Sequence, residues 1–492
     1  MLFSYSENLA RGYGVVFNPS GSPVDGASDL MFMGLIGGLV RLGAPLVLGA
    51  AIVNAFGAAL VFSSVRWAWA YLARVPSAWS ALAAVTVCFG PLLAITVAGF
   101  GLAFFTGITS VMTALAIVYV RDPSTKRGVV LGLFIGAAGI DRIEGFLLGA
   151  LVIVGLCVAY SCLARVLVPG LAAVGIAAVF LAARWAYFGY PLPNAYYKKG
   201  GGALYLDSIP PSIINLVLAA APWIVLLCIA AMTNRRRAAL SYLLLVGGGW
   251  ALVWMLLSNE MNFLGRFQFP VVPSLAILSA SLFPVVAVLL RRASGVLRWG
   301  LSVVVVGLSL ASLIIPNMLI AQGKVADDSL HASLASALQP FAGSPARTMA
   351  VTEAGFASWK SDWKVVDLWG LNDQKIAHTG YLTESELADM NPEMIFAHVP
   401  AGPGSSNAHA GERGFLVGWT TMTDPVMCFA QQTNYQLVGA WERGDDDWFL
   451  VMARRDLPDL PLMIRAVQEL SSAPSPNWAS RGWPPLPTKC DP

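Results

Sequence analysis

The sequence predicts a polytopic α-helical membrane protein with a C-terminal α/β domain outside the cytoplasm, and three observations predict it. Of 492 residues, 57% are apolar and only 12% charged, and the mean hydropathy is +0.66, which excludes an ordinary soluble globular protein. Apolar runs near the ~20 residues needed to cross a bilayer recur as far as residue 320. Beyond residue 321 the charge balance changes: residues 1–321 hold 19 Lys and Arg against 8 Asp and Glu, whereas 322–492 hold 12 against 20. All four histidines, His331, His378, His398 and His409, lie in the second part. The expected domains are therefore a membrane body over 1–321 and a soluble domain over 322–492.

Taken in order, residues 1–27 have no basic stretch followed by an apolar core, so they are not a signal peptide and read as a loop. Residues 30–42 are apolar and Gly-rich and belong in or near the interface. Apolar runs follow at 44–63, 79–97, 98–120, 128–140, 143–163, 167–185, 211–232, 238–257, 267–290 and 299–320, about 10 membrane segments. The 128–140 run is short and reads as re-entrant or tilted. Gly-x-x-x-Gly patterns within the runs indicate close helix packing.

The tail opens with a helical segment, Val325 to Leu338. Strand-like runs follow at Thr348–Thr352, Lys364–Leu368, Met394–His398 and Trp448–Ala453, separated by Gly/Pro-rich loops. Residues from Ser472 to Pro492 are rich in Pro, Ser and Trp and read as extended. Cys88, Cys157, Cys162 and Cys228 fall in apolar runs and read as packing residues. Cys428 and Cys490 are the two cysteines of the tail and could form one disulfide if it lies outside the cytoplasm, a pairing that spacing leaves open.

Basic residues orient the chain. Arg66 and Arg74, Arg121 with Lys126 and Arg127, Arg165, Arg235–Arg237, and Arg291, Arg292 and Arg298 fall in alternate loops, which the positive-inside rule makes cytoplasmic. The N-terminal loop, the 141–144 turn, the 186–210 and 258–265 loops and the tail then share the far side. Of the eight acids in the membrane half, Glu7, Asp25, Asp29, Asp141, Glu144, Asp207 and Glu260 land there, and Asp122 does not. One acidic, aromatic-rimmed cavity on the extracytoplasmic face is the expectation.

Polar insertions mark its candidate wall. In Gly139-Ile140-Asp141-Arg142-Ile143-Glu144-Gly145, Arg142 either pairs with a neighbouring acid to pin two helix ends or offers a bidentate fork to a phosphate, and the two roles are compatible. The stretch Arg184–Gly202 carries tyrosines, paired lysines and Tyr190-Pro191-Leu192-Pro193-Asn194, where prolines fix the backbone ahead of an amide. An aromatic belt with snorkelling lysines is the alternative. Arg266, in Asn259–Arg266, reads as an interfacial anchor or as a second cation for a lipid phosphate. There is no phosphate-binding glycine loop, catalytic-serine elbow, zinc-helix motif or paired-cysteine motif.

Taken together, these elements resemble the GT-C-fold membrane glycosyltransferases that use polyprenyl-phosphate donors, with the closest likeness to the terminal arabinofuranosyltransferase family of mycobacterial cell walls. The likeness rests on five elements in order. They are Phe17-Asn18-Pro19-Ser20-Gly21 leading to Val24-Asp25-Gly26, Arg142-Ile143-Glu144-Gly145 with Ile in place of Pro, Tyr187-Phe188-Gly189 through Pro193-Asn194, Arg266-Phe267-Gln268-Phe269-Pro270, and Asp367-Leu368-Trp369-Gly370-Leu371-Asn372-Asp373. Each is weak alone and the ordered set is fairly specific. The family places a first transmembrane helix and an acidic pair, its general base, just before the position of Leu2, so the resemblance implies either that both precede Met1 or that the protein is a catalytically altered member.

The resemblance implies inverting transfer of a sugar from a polyprenyl-phosphate donor to a cell-envelope glycan or glycolipid, in a bacterial inner membrane. Arg142, Lys198 and Arg266 would bind the donor phosphate. Asp141, Glu144, Tyr187, Tyr190, Asn194, Tyr196, Glu260 and Asn372 would contact substrate, and Glu7, Asp25 or Asp29 would support the base. The partners expected are the donor, the acceptor glycan and the bilayer, with no nucleic acid. No cofactor is indicated, and a divalent cation stays open. The alternatives are a transporter of lipid-linked sugar, although no internal repeat is visible, and a noncatalytic scaffold whose tail binds glycan.

Overall fold

The computed structural model describes the chain except residues 91, 94, 95, 97–99, 200–203, 258–261, 263, 264, 293, 322–328, 400–412, 445, 446, 472–478 and 481–492. Contacts divide it into two compact units. One spans residues 28–192 and 202–326; the other joins residues 1–27 and 193–201 to residues 327–492.

The first unit is helical throughout. Among the described residues, six helices are long and apolar enough to span a bilayer: Leu46–Leu72, Leu102–Arg121, Leu163–Phe188, Leu206–Ala231, Arg236–Leu257 and Val271–Arg292. The chain is a multi-pass membrane protein. Leu30–Arg41, Ser77–Cys88, Thr125–Asp141 and Glu144–Ala159 are shorter than a span, and Gly295–Ala321 is helical over 27 residues. Leu102–Arg121 is the most buried of the six, at 78% of its apolar window, and it carries buried hydroxyls. Thr109 and Ser110 donate to the Thr106 carbonyl and Thr113 to that of Thr109, so these polar groups are satisfied within their own helix.

The short helix Thr125–Asp141 is held by a stripe of glycines. Gly128, Gly132 and Gly136 recur every fourth residue, hence on one face, and they lie against Val168, Ala172 and Ile176 of the helix Leu167–Phe188. Side chains at those positions would keep the two backbones apart.

The second unit is built on a six-stranded mixed sheet: β1 Thr348–Val351, β2 Lys364–Asp367, β3 Met394–Val399, β4 Tyr435–Gly444, β5 Asp447–Arg454 and β6 Ala479–Ser480. The order is β2-β1-β3-β5-β4-β6, with β1 parallel to β2 and β3, and β5 antiparallel to β3 and β4. Ala350, Ile395, Ala397, Leu450 and Met452 face a core with Trp369, Trp419, Met422 and Val426. Met349 and Phe396 pack on the opposite side, with Leu334 and Leu338 of the helix Ser329–Leu338. The four strand-like runs of the sequence become β1, β2, β3 and β5; β4, whose apolar residues alternate less clearly, does not stand out from its sequence.

Residues 2–10, expected as loop, form a helix. Its reason is tertiary: Phe3 packs edge-on against Trp359 with centroids 5.1 Å apart, and Tyr5 is wholly buried. Cys428 is disulfide-bonded, and Cys490 lies outside the described residues. The other cysteines, Cys88, Cys157, Cys162 and Cys228, are free.

Replacing Gly132 by Leu forces a side chain into Ala172 and the Pro169 carbonyl, and is expected to destabilise the helical unit by about 1–3 kcal/mol. The same change at Gly175, where nothing lies within 4 Å, is expected to leave thermal unfolding in detergent unchanged.

Candidate functional site

In the helical unit, the helix Thr125–Asp141 stops because Arg142 takes an extended conformation, and the next helix begins at Glu144. Gly145 lets the new helix approach closely, since a Cβ there would overlap the Ala138 carbonyl. This break presents three charges. Arg142 Nε donates to Glu144 Oε1 at 2.7 Å, and Arg142 Nη1 contacts Asp29 Oδ1. The arginine side chain is 16% exposed and both acids 9%, so this is a nearly buried bridge. A buried guanidinium loses its hydration and needs compensation of this kind.

Asp29 precedes the helix Leu30–Arg41 at the position that normally caps it, yet it makes no capping bond. Asp141 supplies one instead: its Oδ1 accepts from the N–H of Phe32 at 2.9 Å, satisfying a backbone donor in the first turn. The guanidinium of Arg266 lies 3.9 Å from the centroid of the Phe100 ring and 5.1 Å from that of Phe267, and is close enough to Arg142 and Asp29 to feel both charges. Phe267 is fixed by stacking on Trp254 at 4.3 Å, and its carbonyl accepts from Trp250 Nε1 at 3.0 Å. Asp29, Asp141, Arg142 and Glu144 therefore gather from two separated segments, with Arg266 within reach of their charge.

Tyr187 and Tyr190 belong to the same unit. Tyr187 is exposed and meets Phe188 edge-on at 4.8 Å, while Tyr190 is half-buried. The loop after them is tied down by Arg184, whose Nε donates to the Pro191 carbonyl at 2.8 Å. Glu260 lies outside the described residues.

A second cluster lies in the sheet unit, around Asp367 at the carboxyl end of β2. Its Oδ1 accepts from the Trp369 N–H at 3.1 Å; its Oδ2 accepts from the N–H and Nδ2 of Asn372 at 2.9 and 2.7 Å. Burial nonetheless raises this carboxyl above its ordinary range. Asn372 Oδ1 accepts from the Tyr5 hydroxyl at 3.0 Å, and that hydroxyl accepts from Gly26 N at 3.1 Å. Asn194 donates through N to the Asp25 carbonyl at 3.0 Å and through Nδ2 to that of Leu371 at 3.2 Å. Tyr5, Asp25, Asn194, Asp367 and Asn372 are all buried. A Cβ on Gly26 would collide with Asn372, Leu371 and Tyr5, which is why glycine stands there.

Lys198 lies beside this clasp, its Nζ 3.6 Å from the centroid of the Tyr381 ring and 5.2 Å from that of Trp369. Burial lowers its pKa to about 8, against the opposing pull of Asp367, so at neutral pH most of the population is cationic. Tyr197 packs on His378 at 4.2 Å and meets Tyr196 edge-on at 5.5 Å. Glu7, on the N-terminal helix, pairs with Arg11 at 2.5 Å.

Sequence reasoning singled out the members of both clusters but missed Tyr5, the trans cap by Asp141, and the Tyr381 and Trp369 faces under Lys198. The partners of the Tyr5 hydroxyl are 21 and 367 residues away, so no local spacing marks it. Among the described residues no group of three or more His, Cys, Asp or Glu is placed to hold a metal ion.

The helical unit and its charged cluster define a multi-pass membrane protein with ionisable groups gathered at helix ends. Residues 322–452 match a family model described as a domain of unknown function, DUF8728. No curated protein and no solved structure matches the chain.

Tyr5→Phe removes the hydroxyl that joins Gly26 to Asn372 and takes a hydrogen bond from the half-buried Gly26 N–H and the buried Asn372 amide oxygen. The expected cost is about 1–3 kcal/mol, read as a lower unfolding midpoint with faster hydrogen exchange in residues 367–373.

Proposed function

We propose that the chain is an inverting glycosyltransferase that moves a sugar from a polyprenyl-phosphate donor to a cell-envelope glycan or glycolipid, on the extracytoplasmic face of the membrane. The observation that carries this reading is the assembly of Asp29, Asp141, Arg142, Glu144 and Arg266. These residues come from the N-terminal loop, the 141–144 turn and the segment before Val271, which charge bias assigns to one side of the bilayer. The ordered sequence elements support the same reading, and two of them, Arg142–Gly145 and Arg266–Pro270, carry its two arginines, each within reach of the other's charge.

In the proposed reaction a carboxylate removes the proton from an acceptor hydroxyl as its oxygen attacks the anomeric carbon. The bond from that carbon to the phosphate oxygen breaks, and the phosphate leaves with the electron pair. Arg142 and Arg266 hold the charge that develops on it. Asp29 and Glu144 fix the Arg142 guanidinium beforehand, so little reorganisation is needed at the moment of transfer.

The test is transfer of labelled sugar from a panel of polyprenyl-phosphate donors, using membranes that contain the protein. Arg142→Lys is expected to keep the fold and to lower transfer by about 100-fold. A folded protein that transfers nothing across the panel, yet moves lipid-linked sugar between leaflets, would replace this reading with transport.

A further inference from the structure

The charges around Arg142 do not balance if every acid is ionised. Among the described residues, Asp29, Asp141 and Glu144 would contribute three negative charges, and Arg142 and Arg266 two positive ones. Arg142 is already met by Asp29 and Glu144. Asp141 has no exposure at all. One of its oxygens accepts from Phe32 N–H, and the other, Oδ2, has no hydrogen-bond partner among the described residues.

An ionised carboxylate in such a place would carry its charge with a single donor and another carboxylate, Asp29, nearby, an arrangement that burial penalises heavily. A carboxylic acid escapes the charge penalty and keeps the bond to Phe32, at the smaller cost of a buried O–H on Oδ2 with no acceptor among the described residues. A metal ion does not suit the position, because no ligand set for one is formed there among the described residues.

We propose that Asp141 is a proton-binding site: at neutral pH it holds one proton, which brings the cluster of Asp29, Asp141, Arg142, Glu144 and Arg266 to zero net charge. The groups that face it are Asp29 at the start of the helix Leu30–Arg41, Arg142 in the break, and Glu144 at the head of the next helix. The proton lets the aspartate cap one helix while Arg142 stays balanced between two carboxylates. It also gives the cluster a group able to exchange charge when an anion meets the arginines, since added negative charge tightens proton binding at a neighbouring acid. This inference does not depend on sugar transfer.

The test is infrared spectroscopy of the whole protein in lipid nanodiscs, with unfolding midpoints measured on the same samples. The expected result is a carboxylic-acid C=O band that shifts in D2O and is lost in Asp141→Asn, with the midpoint moved by about 2 °C or less, because Asn mimics the neutral acid in shape and polarity. Asp29→Asn, which removes one arm of the Arg142 bridge, should lower the midpoint several times more. A folded Asp141→Asn protein that keeps the whole band would overturn the proposal. So would an Asp141→Asn protein that fails to fold or unfolds as readily as Asp29→Asn, since that would show that the charge of Asp141 is required.

Discussion

A guanidinium taken out of water must find its compensation inside the protein, and meeting that need at Arg142 organises the break between the helices Thr125–Asp141 and Glu144–Ala159. Two carboxylates are drawn to it. Glu144 comes from the head of the following helix, and Asp29 is diverted from its own helix, whose first turn is then capped by Asp141. One charge thereby links three helix ends. Breaking such a bridge leaves an uncompensated buried charge and is costly, whereas the intact bridge adds little net stability. The arrangement therefore constrains geometry more than it strengthens the fold, which is what a site that must meet a ligand in fixed orientation requires.

The sheet unit solves a related problem with neutral groups. Asp367 gathers the backbone and amide donors of its own loop, and the side-chain oxygen of Asn372 meets the Tyr5 hydroxyl. Through Tyr5, Gly26 and Asn194, residues from the first 27 positions and from 193–201 are fastened to the β2 loop. Amides that look in sequence like ligand-binding groups are here engaged in holding the chain. Lys198 differs, because its ammonium rests on aromatic faces that hold it by charge and area without consuming its hydrogen-bond donors.

Much of this was legible in the sequence where a single physical signal dominates. Of the ten apolar runs read as membrane segments, six coincide with the helices long and apolar enough to span among the described residues, and β-branched and aromatic runs between turn residues gave β1, β2, β3 and β5. The glycine stripe at 128, 132 and 136 was visible as spacing, though not its partner helix. A pairing of Arg142 with Asp141 or Glu144 was readable because all three lie within four residues, and the structure selects Glu144. Its second partner, Asp29, is 113 residues away and was marked only as one acid among several on the same side. The N-terminal helix was missed because its stability comes from burying Phe3 and Tyr5 against distant residues, and local propensity carries no record of that. What the sequence conveyed about sites was which side chains matter; which of them bind one another was fixed by packing.

The same-side assignment of the charged loops is the premise on which the functional reading rests, and cysteine labelling tests it most directly. In a background with the free cysteines Cys88, Cys157, Cys162 and Cys228 replaced, one cysteine is introduced at Leu206 or at Arg236 and exposed to a membrane-impermeant maleimide in intact cells, with the parent background as the control for Cys428 and Cys490. The account predicts labelling at Leu206 without permeabilisation and at Arg236 only after it. Labelling of both from the same side, or the reverse pattern, would contradict an extracytoplasmic site.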